Sequence, residues 1–202
     1  MPTPPLLWPS VATPASEVAN IKALYAHLMG IAYNVEAWDA ALQLYELSKQ
    51  APTGFSRDVV RRWRFVASSE CVMQLHHLKE RLQRVKGVKL RECTSIKDNV
   101  DIRLLREATK LYSDYFPDVD ELRHAVAHAA EIDAEPEKHA PNGQFGLVGF
   151  READRFSAPY KGQLRHLDLT KTTLERINEL VTRVFDAFVP AAQELECQGH
   201  LE

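Results

Sequence analysis

Apolar side chains recur every three or four positions through IKALYAHLMGIAYNVEAWDAALQLY, residues 21–45. This spacing places them on one face of an α-helix, and the face keeps its phase across Gly30. Upstream, Thr13 offers an N-cap and Pro14 suits the first helical position, whereas APTG at residues 51–54 ends the pattern. The sequence therefore predicts one long amphipathic helix between these two signals.

Similar spacing continues further along the chain. A second long helix is predicted from Ser56 to Gly87, and the short turn before it favours an antiparallel pair with the first helix. Residues 87–98 are basic and are predicted to be irregular. A third helix is predicted over residues 102–115, closed by Pro117.

The chain changes character after residue 134. Residues 135–142 form a polar, proline-bearing stretch that predicts a loop. Residues 143–150 and 162–169 then alternate apolar and polar side chains, which is typical of short strands, and the residues between them, including Pro159, are predicted to be a polar loop. These features predict a small β-hairpin at about residues 143–169.

The last helix is predicted from about Thr170, with Pro190 limiting it. The expected fold class is therefore mainly α: a bundle of about five helices with a small β-hairpin before the last one. We expect a single helical domain over residues 14–190, a flexible proline-rich tail at residues 1–13 and a C-terminal tail at residues 191–202.

Composition restricts the kind of protein. The chain has 202 residues and a formal net charge of −3, so any site for a polyanion must be a local basic patch. Its three cysteines form no CxxC pair, which is typical of reduced thiols in a cytoplasmic protein. The N-terminus lacks the pattern of a signal peptide, and no run of 18 apolar residues predicts a membrane span.

The stretch ELRHAVAHAA, residues 121–130, is the main candidate for a functional site. It is predicted to lie on a fourth helix, over residues 119–131, capped by Asp118 with Glu121 completing a capping box. On that helix the predicted core face consists of Val119, Leu122, Val126, Ala129 and Ala130. The opposite face consists of Arg123, His124, Ala127 and His128.

This polar face has residue types suited to RNA cleavage without a metal. Histidine both accepts and donates protons near neutral pH, as transfer from a ribose 2′-OH and to a leaving 5′-oxygen requires. Arginine holds a phosphate and offsets charge in the transition state. Because one helix does not surround a phosphate, we expect two copies to face each other, each contributing Arg123 and His128.

The segment Arg123-His124-Ala125-Val126-Ala127-His128, late in an α bundle, resembles the Arg-polar-x-x-x-His signature of the HEPN superfamily. The resemblance points to its abortive-infection-like and uncharacterised bacterial branches. It implies a helical homodimer that cleaves single-stranded RNA as a toxin or phage-defence component, with an antitoxin or defence-system partner. Arg123 and His128 would then carry catalysis, with His124 assisting and no cofactor. Ala130 replaces a tyrosine that is modified in one toxin subgroup, so that regulation is not expected.

Other interpretations of the same residues remain open. The polar face also suits a non-catalytic module that dimerises or binds a nucleotide or a partner. His124 and His128 have metal-ligand spacing, but no third ligand is evident, so no metal is predicted. Arg57, Arg61 and Arg64 form a basic stripe that suits an RNA backbone or, equally, a solvated helix face.

Overall fold

The computed structural model of the chain describes residues 1–50, 54–128, 149–152 and 154–199. Its helices are α1 (Ala15–Lys49), α2 (Arg57–Val85), α3 (Val88–Glu92), α4 (Thr94–Lys97), α5 (Ile102–Tyr115), α6 (Val119–Ala127) and α7 (Lys171–Cys197). Its strands are β1 (Gly149–Glu152), β2 (Arg155–Tyr160) and β3 (Gln163–Asp168). The predicted fold class, mainly helical with a small antiparallel hairpin before the last helix, is confirmed.

The chain divides into two compact units, and α1, α2 and α7 each contribute a segment to both. Unit 1 contains the described parts of Met1–Glu36, His77–Tyr115 and Glu175–Glu202. Unit 2 contains the described parts of Ala37–His76 and Phe116–Leu174. The candidate motif and the strands all lie in unit 2.

Unit 1 has a core built from the apolar faces of its helices. Its fully buried side chains include Ile21, Leu24, Leu28, Ile31, Val85, Ile96, Ala108, Leu180, Val181, Val184 and Phe188. Both chain ends contribute, although residues 1–13 are predicted as a flexible tail. Leu7 is fully buried, the Ser10 hydroxyl donates to Gln198 Oε1 at 2.7 Å, and the Val11 backbone N–H donates to the Gly199 carbonyl at 2.9 Å.

The prediction of an irregular segment at residues 87–98 is wrong, because α3 and α4 form there. Leu90, Cys93 and Ile96 are buried at helical spacing, and this burial stabilises two helices too short to form alone. Glu17 of α1 also contributes, since its carboxylate accepts hydrogen bonds from the Thr94 hydroxyl and from the Ser95 hydroxyl and backbone N–H. Neither the basic composition nor local propensity indicates such a distant cap.

Pro190 does not end the last helix, and the expected tail at residues 191–202 begins as helix, because α7 continues to Cys197. Proline lacks the N–H that would bond one turn back, and its ring displaces the preceding carbonyls. The Asp101 backbone N–H donates to the nearby Ala187 carbonyl at 2.9 Å, so a neighbouring segment satisfies a carbonyl in that turn. Ala191 and Leu195 are buried beyond the proline, and their packing favours continuing the helix.

In unit 2 the ends of α1 and α2 run antiparallel, as predicted. Arg64 of α2 donates to both the hydroxyl and the carbonyl oxygen of Ser48, each at 3.2 Å. Further along both helices, the Cys71 thiol lies 3.9 Å from the Trp38 carbonyl oxygen. Residue numbers increase along α2 from Arg64 to Cys71, whereas those of their partners on α1 decrease from Ser48 to Trp38. The two segments are therefore antiparallel.

The sheet of unit 2 has three antiparallel strands in the order β1-β2-β3. Lys161 and Gly162 join β2 to β3 with φ angles of 48° and 75°, and two positive φ angles are typical of a type I′ hairpin turn. Most of the predicted strand at residues 143–150 lies outside the described residues, and only Gly149 and Phe150 fall in β1. The second predicted strand coincides with β3.

The polar loop predicted between the two strands is wrong, because β2 occupies it. Residues 156–159 of β2 are all buried, so the strand lacks the alternation that marks a strand with one solvated face. Pro159 is opposite Leu164, next to the two-residue turn. An N–H at that position would point away from β3, so the β2–β3 ladder does not need one.

A charged cluster fixes the turn between β1 and β2 to the end of α1. Asp154 has a φ of 62°, and its carboxylate accepts hydrogen bonds from Lys49 Nζ at 2.6 Å and from the Tyr45 hydroxyl at 3.1 Å. The Lys49 hydrogen bond lowers the pKa of Asp154. Burial, together with the Asp154 charge, raises the pKa of Tyr45 to about 12. Tyr45 is therefore a proton donor at neutral pH that anchors the turn.

Candidate functional site

The motif helix α6 packs against β2 and β3, and its buried residues are Val119, Leu122 and Ala125. It ends at Ala127 rather than residue 131, and His128 is its C-cap, with its backbone N–H donating to the His124 carbonyl at 3.0 Å. Ala125 is the last buried residue, so the helix ends within a turn of the end of its packed face. Of the predicted core face, Val119 and Leu122 are buried and Val126 is half-buried, whereas Ala129 and Ala130 lie outside the described residues.

The predicted capping box is wrong, because the Asp118 side chain makes no cap hydrogen bond. Its carboxylate instead accepts from Arg165 Nη1 at 3.0 Å and from the His166 backbone N–H at 3.2 Å. Arg165 Nη2 also lies 4.0 Å from Glu121 Oε1. Asp118 therefore pairs with a partly buried guanidinium from β3 instead of accepting hydrogen bonds from the first N–H groups of α6.

The three predicted catalytic residues lie at different levels of exposure on α6. His124 and His128 are exposed, as is Ala127 between them, and Arg123 is half-buried. On an ideal helix, Arg123 and His128 are about 140° apart and about 7.5 Å apart along the axis. One copy of α6 therefore presents them in different directions and does not by itself enclose a phosphate.

The hairpin tip meets the motif at His124. The imidazole stacks on the Tyr160 ring, with centroids 5.8 Å apart and planes 14° from parallel. Lys161 Nζ lies 5.2 Å from the centroid of the same tyrosine ring. Tyr160, Lys161 and Arg165 thus surround one side of α6, and none of them was among the sequence-predicted site residues. The alternating pattern of residues 162–169 marked the strand but not which of its faces meets α6.

A second histidine contact lies at the start of α6. His76 Nδ1 of α2 is 3.4 Å from Asp120 Oδ1, and the His76 side chain is mostly buried. This contact lies at the end of α6 away from His128. Among the residues that the structure describes, no three His, Cys, Asp or Glu side chains cluster closely enough to hold a metal ion.

Of the three arginines of the predicted basic stripe on α2, two are exposed and one is half-buried. Arg57 and Arg61 are exposed, as the stripe requires. Arg64 is not available as predicted, because its guanidinium holds the last turn of α1 through Ser48. The sequence missed two neighbours of the stripe, Phe55 and Phe65, which are exposed aromatic side chains.

No helix in the described part of the chain is long and apolar enough to cross a membrane. Comparison with protein-family models, curated proteins and solved structures finds no match.

Proposed function

We propose that the chain is a metal-independent endoribonuclease of the HEPN type that acts on single-stranded RNA as a homodimer. One observation carries the proposal: His124, Ala127 and His128 are exposed together at the end of α6, and Arg123 borders them. Two imidazoles next to a guanidinium supply both proton transfer and phosphate binding. The exposed methyl group of Ala127 leaves room for a second α6 to approach.

In the proposed reaction, an imidazole accepts the proton of the ribose 2′-OH, and the resulting oxygen attacks the adjacent phosphorus. The bond from phosphorus to the 5′-oxygen breaks, and that oxygen takes a proton from an imidazolium. The products are a 2′,3′-cyclic phosphate and a 5′-hydroxyl. His128 acts as acid or base, Arg123 offsets charge on the phosphate, and His124 assists.

Two copies of α6 are part of this proposal, because Arg123 and His128 point in different directions on one helix. A two-fold axis near Ala127 brings Arg123 of one copy towards His128 of the other. We further propose a cytoplasmic toxin or phage-defence role, held in check by an antitoxin or another defence component. In that role, expression of the active protein arrests growth.

A specific observation favours a second candidate function, a non-catalytic HEPN-like module that dimerises or binds a nucleotide or a partner. The hairpin engages the motif helix at both ends, with Arg165 on Asp118 and Tyr160 stacked on His124. Stacking restricts the rotation of His124, and a restrained imidazole suits a fixed binding surface. This candidate uses the same face of α6 without cutting RNA.

The test is cleavage of end-labelled single-stranded RNA by the full chain in the presence of EDTA. We expect the wild-type protein to cut and the variants Arg123→Ala and His128→Ala to be inactive, with melting temperatures within about 2 °C of wild type because His128 is exposed and Arg123 is only half-buried. Arg103→Ala and His77→Ala, at exposed helical positions elsewhere, are matched controls that should retain activity.

The same variants separate the two candidates. If the wild-type protein cuts no RNA, and Arg123→Ala or His128→Ala changes its sedimentation or partner binding, the non-catalytic function is supported. Full cleavage by both variants contradicts a catalytic role for α6. Cleavage that disappears in EDTA contradicts the metal-independent chemistry.

A further inference from the structure

The first turns of α2 carry an exposed surface that the proposed chemistry does not use. We call it the α2 patch, and it consists of Phe55, Arg57, Arg61, Arg62, Phe65 and Val66, all of them exposed. On a helix, its five α2 members fall within an arc of about 180°. The opposite arc carries Val60, Ala67 and Cys71, which are buried. The patch is thus a continuous outward face of α2.

The charge of the patch is positive although the whole chain is acidic. Its three arginines are opposed locally by Asp58, whose Oδ1 lies 3.8 Å from Arg61 Nη2, with both side chains about four-fifths exposed (83% and 79%). An ion pair this open to solvent contributes little and is readily exchanged for a phosphate. Charge complementarity therefore favours a polyanion as the occupant, rather than another copy of this basic surface.

Two exposed aromatic rings lie beside these arginines, and each of them packs against another aromatic ring. Phe55 packs against Trp63 with centroids 4.7 Å apart, and Phe65 meets the buried Phe156 edge to face at 6.5 Å. Each ring is still exposed, with Phe55 at 53% and Phe65 at 38%. Exposed, immobilised rings between arginines are the arrangement on which unpaired bases stack.

Strand β2 links the patch to the candidate site on α6. Phe156, which contacts Phe65, and Tyr160, which stacks on His124, are four residues apart on the same face of the strand. Four residues of a strand span about 13 Å. The α2 patch and the motif therefore contact the same strand of unit 2 at positions about 13 Å apart.

We propose that the α2 patch binds single-stranded RNA, with Arg57, Arg61 and Arg62 on phosphates and Phe65 beneath a base. The inference deepens the proposed function and takes from it the choice of RNA as substrate. Binding is nevertheless measured separately from cleavage, so each idea fails on its own evidence.

The test uses the full chain carrying His128→Ala, so that the RNA stays intact, and fluorescence anisotropy with a labelled 12-nucleotide oligouridine. Three phosphate contacts give a slope of about −2 in log K against log salt, which corresponds to roughly 100-fold tighter binding at 0.1 M than at 1 M salt. The triple variant R57A/R61A/R62A should bind the oligouridine about equally at both salt concentrations, so that its slope of log K against log salt is nearly zero. Alanine is the best helix former, so these exposed positions tolerate the change.

Two controls distinguish this surface from general charge and from packing. The matched triple variant R103A/R106A/K110A, on the exposed side of α5, should bind as tightly as the parent protein. Phe65→Leu keeps an apolar side chain against Phe156 and should weaken binding about tenfold, whereas Phe65→Trp should retain it.

Several results would overturn the inference. They are an unchanged affinity and salt slope in the α2 triple variant, an equal loss in the α5 triple variant, or tighter binding of duplex RNA than of the single strand. A loss of self-association in the α2 triple variant, with RNA binding intact, would assign the patch to a second copy instead.

If the parent binds through the patch but the wild-type protein does not cut RNA, the proposed function fails and this inference stands. If the wild-type protein cuts RNA but the parent does not bind RNA through the α2 patch, the proposed function stands and this inference fails.

Discussion

The contribution of the Glu17 contact with α4 to the unfolding free energy can be measured. Its side chain is buried, with the residue 6% exposed, and its carboxylate accepts three hydrogen bonds from Thr94 and Ser95 at the start of α4. Burial raises the pKa of Glu17, but these hydrogen bonds outweigh burial and lower the pKa from 4.5 to about 2. A lowering of that size corresponds to about 3 kcal/mol, which solvent screening reduces to about 2 kcal/mol.

The perturbation is Glu17→Gln, which keeps the size of the side chain and removes its charge. Because the pKa of Glu17 is lower in the folded protein than in the unfolded chain, the carboxylate stabilises the fold above about pH 4.5, and this stabilisation is lost as the pH falls towards 2. We therefore expect the variant to lose about 2 kcal/mol of unfolding free energy at pH 7 and under half of that at pH 3.

The assay is urea unfolding of both proteins at the two pH values, with Glu107→Gln as the control. Glu107 is exposed on α5, and its Oε1 lies 4.0 Å from Arg103 Nε in an exposed ion pair, so its substitution should change the unfolding free energy by less than about 0.5 kcal/mol. A Glu17→Gln loss that is the same at pH 7 and pH 3, or absent at pH 7, would refute the assignment of the cap to the ionised carboxylate.

Three further predictions concern unit 2 and the last helix. Arg165→Ala and Asp118→Ala, combined in a double-mutant cycle followed by urea unfolding, should show a coupling energy of about 1 kcal/mol or more, and additive losses would contradict the ion pair. Tyr160→Ala should lower the unfolding free energy by about 1 kcal/mol through loss of the stack on His124, while Tyr160→Phe should leave it nearly unchanged, since the stack needs only the ring. Pro190→Ala should raise the melting temperature by several degrees, because alanine restores a helical N–H, and a lower melting temperature would show that the proline-bearing turn is required.

The long helices were predictable because their signals are local. Regular apolar spacing and the breakers at residues 51–54 and at Gly87 bracket α1 and α2 closely. The features that the sequence did not predict depend on distant partners. Ser95 and Thr94 meet Glu17, which is far away in the chain, and buried residues on both faces of β2 erase the alternation that marks a strand.

In the candidate site too, features with a local signal were predictable and features that depend on distant partners were not. Helical spacing placed His124 and His128 together on the outer face of α6, and the structure exposes both. The sequence did not indicate that Tyr160 stacks on His124, because contacts between a hairpin and a helix depend on how they pack and not on spacing. Arg64 illustrates the converse, since its position in a regular basic stripe gave no sign of its hydrogen bonds to Ser48.

The sharing of one cleft by two copies of α6 is tested most directly by complementation. Arg123→Ala and His128→Ala chains, each inactive alone, are co-expressed with different tags and the mixed dimer is purified and assayed on labelled single-stranded RNA. The mixed dimer retains one Arg123 and one His128, so we predict that cleavage returns to a substantial fraction of the wild-type rate. A mixed dimer that stays inactive while the wild-type protein cuts RNA would contradict a site shared between two copies.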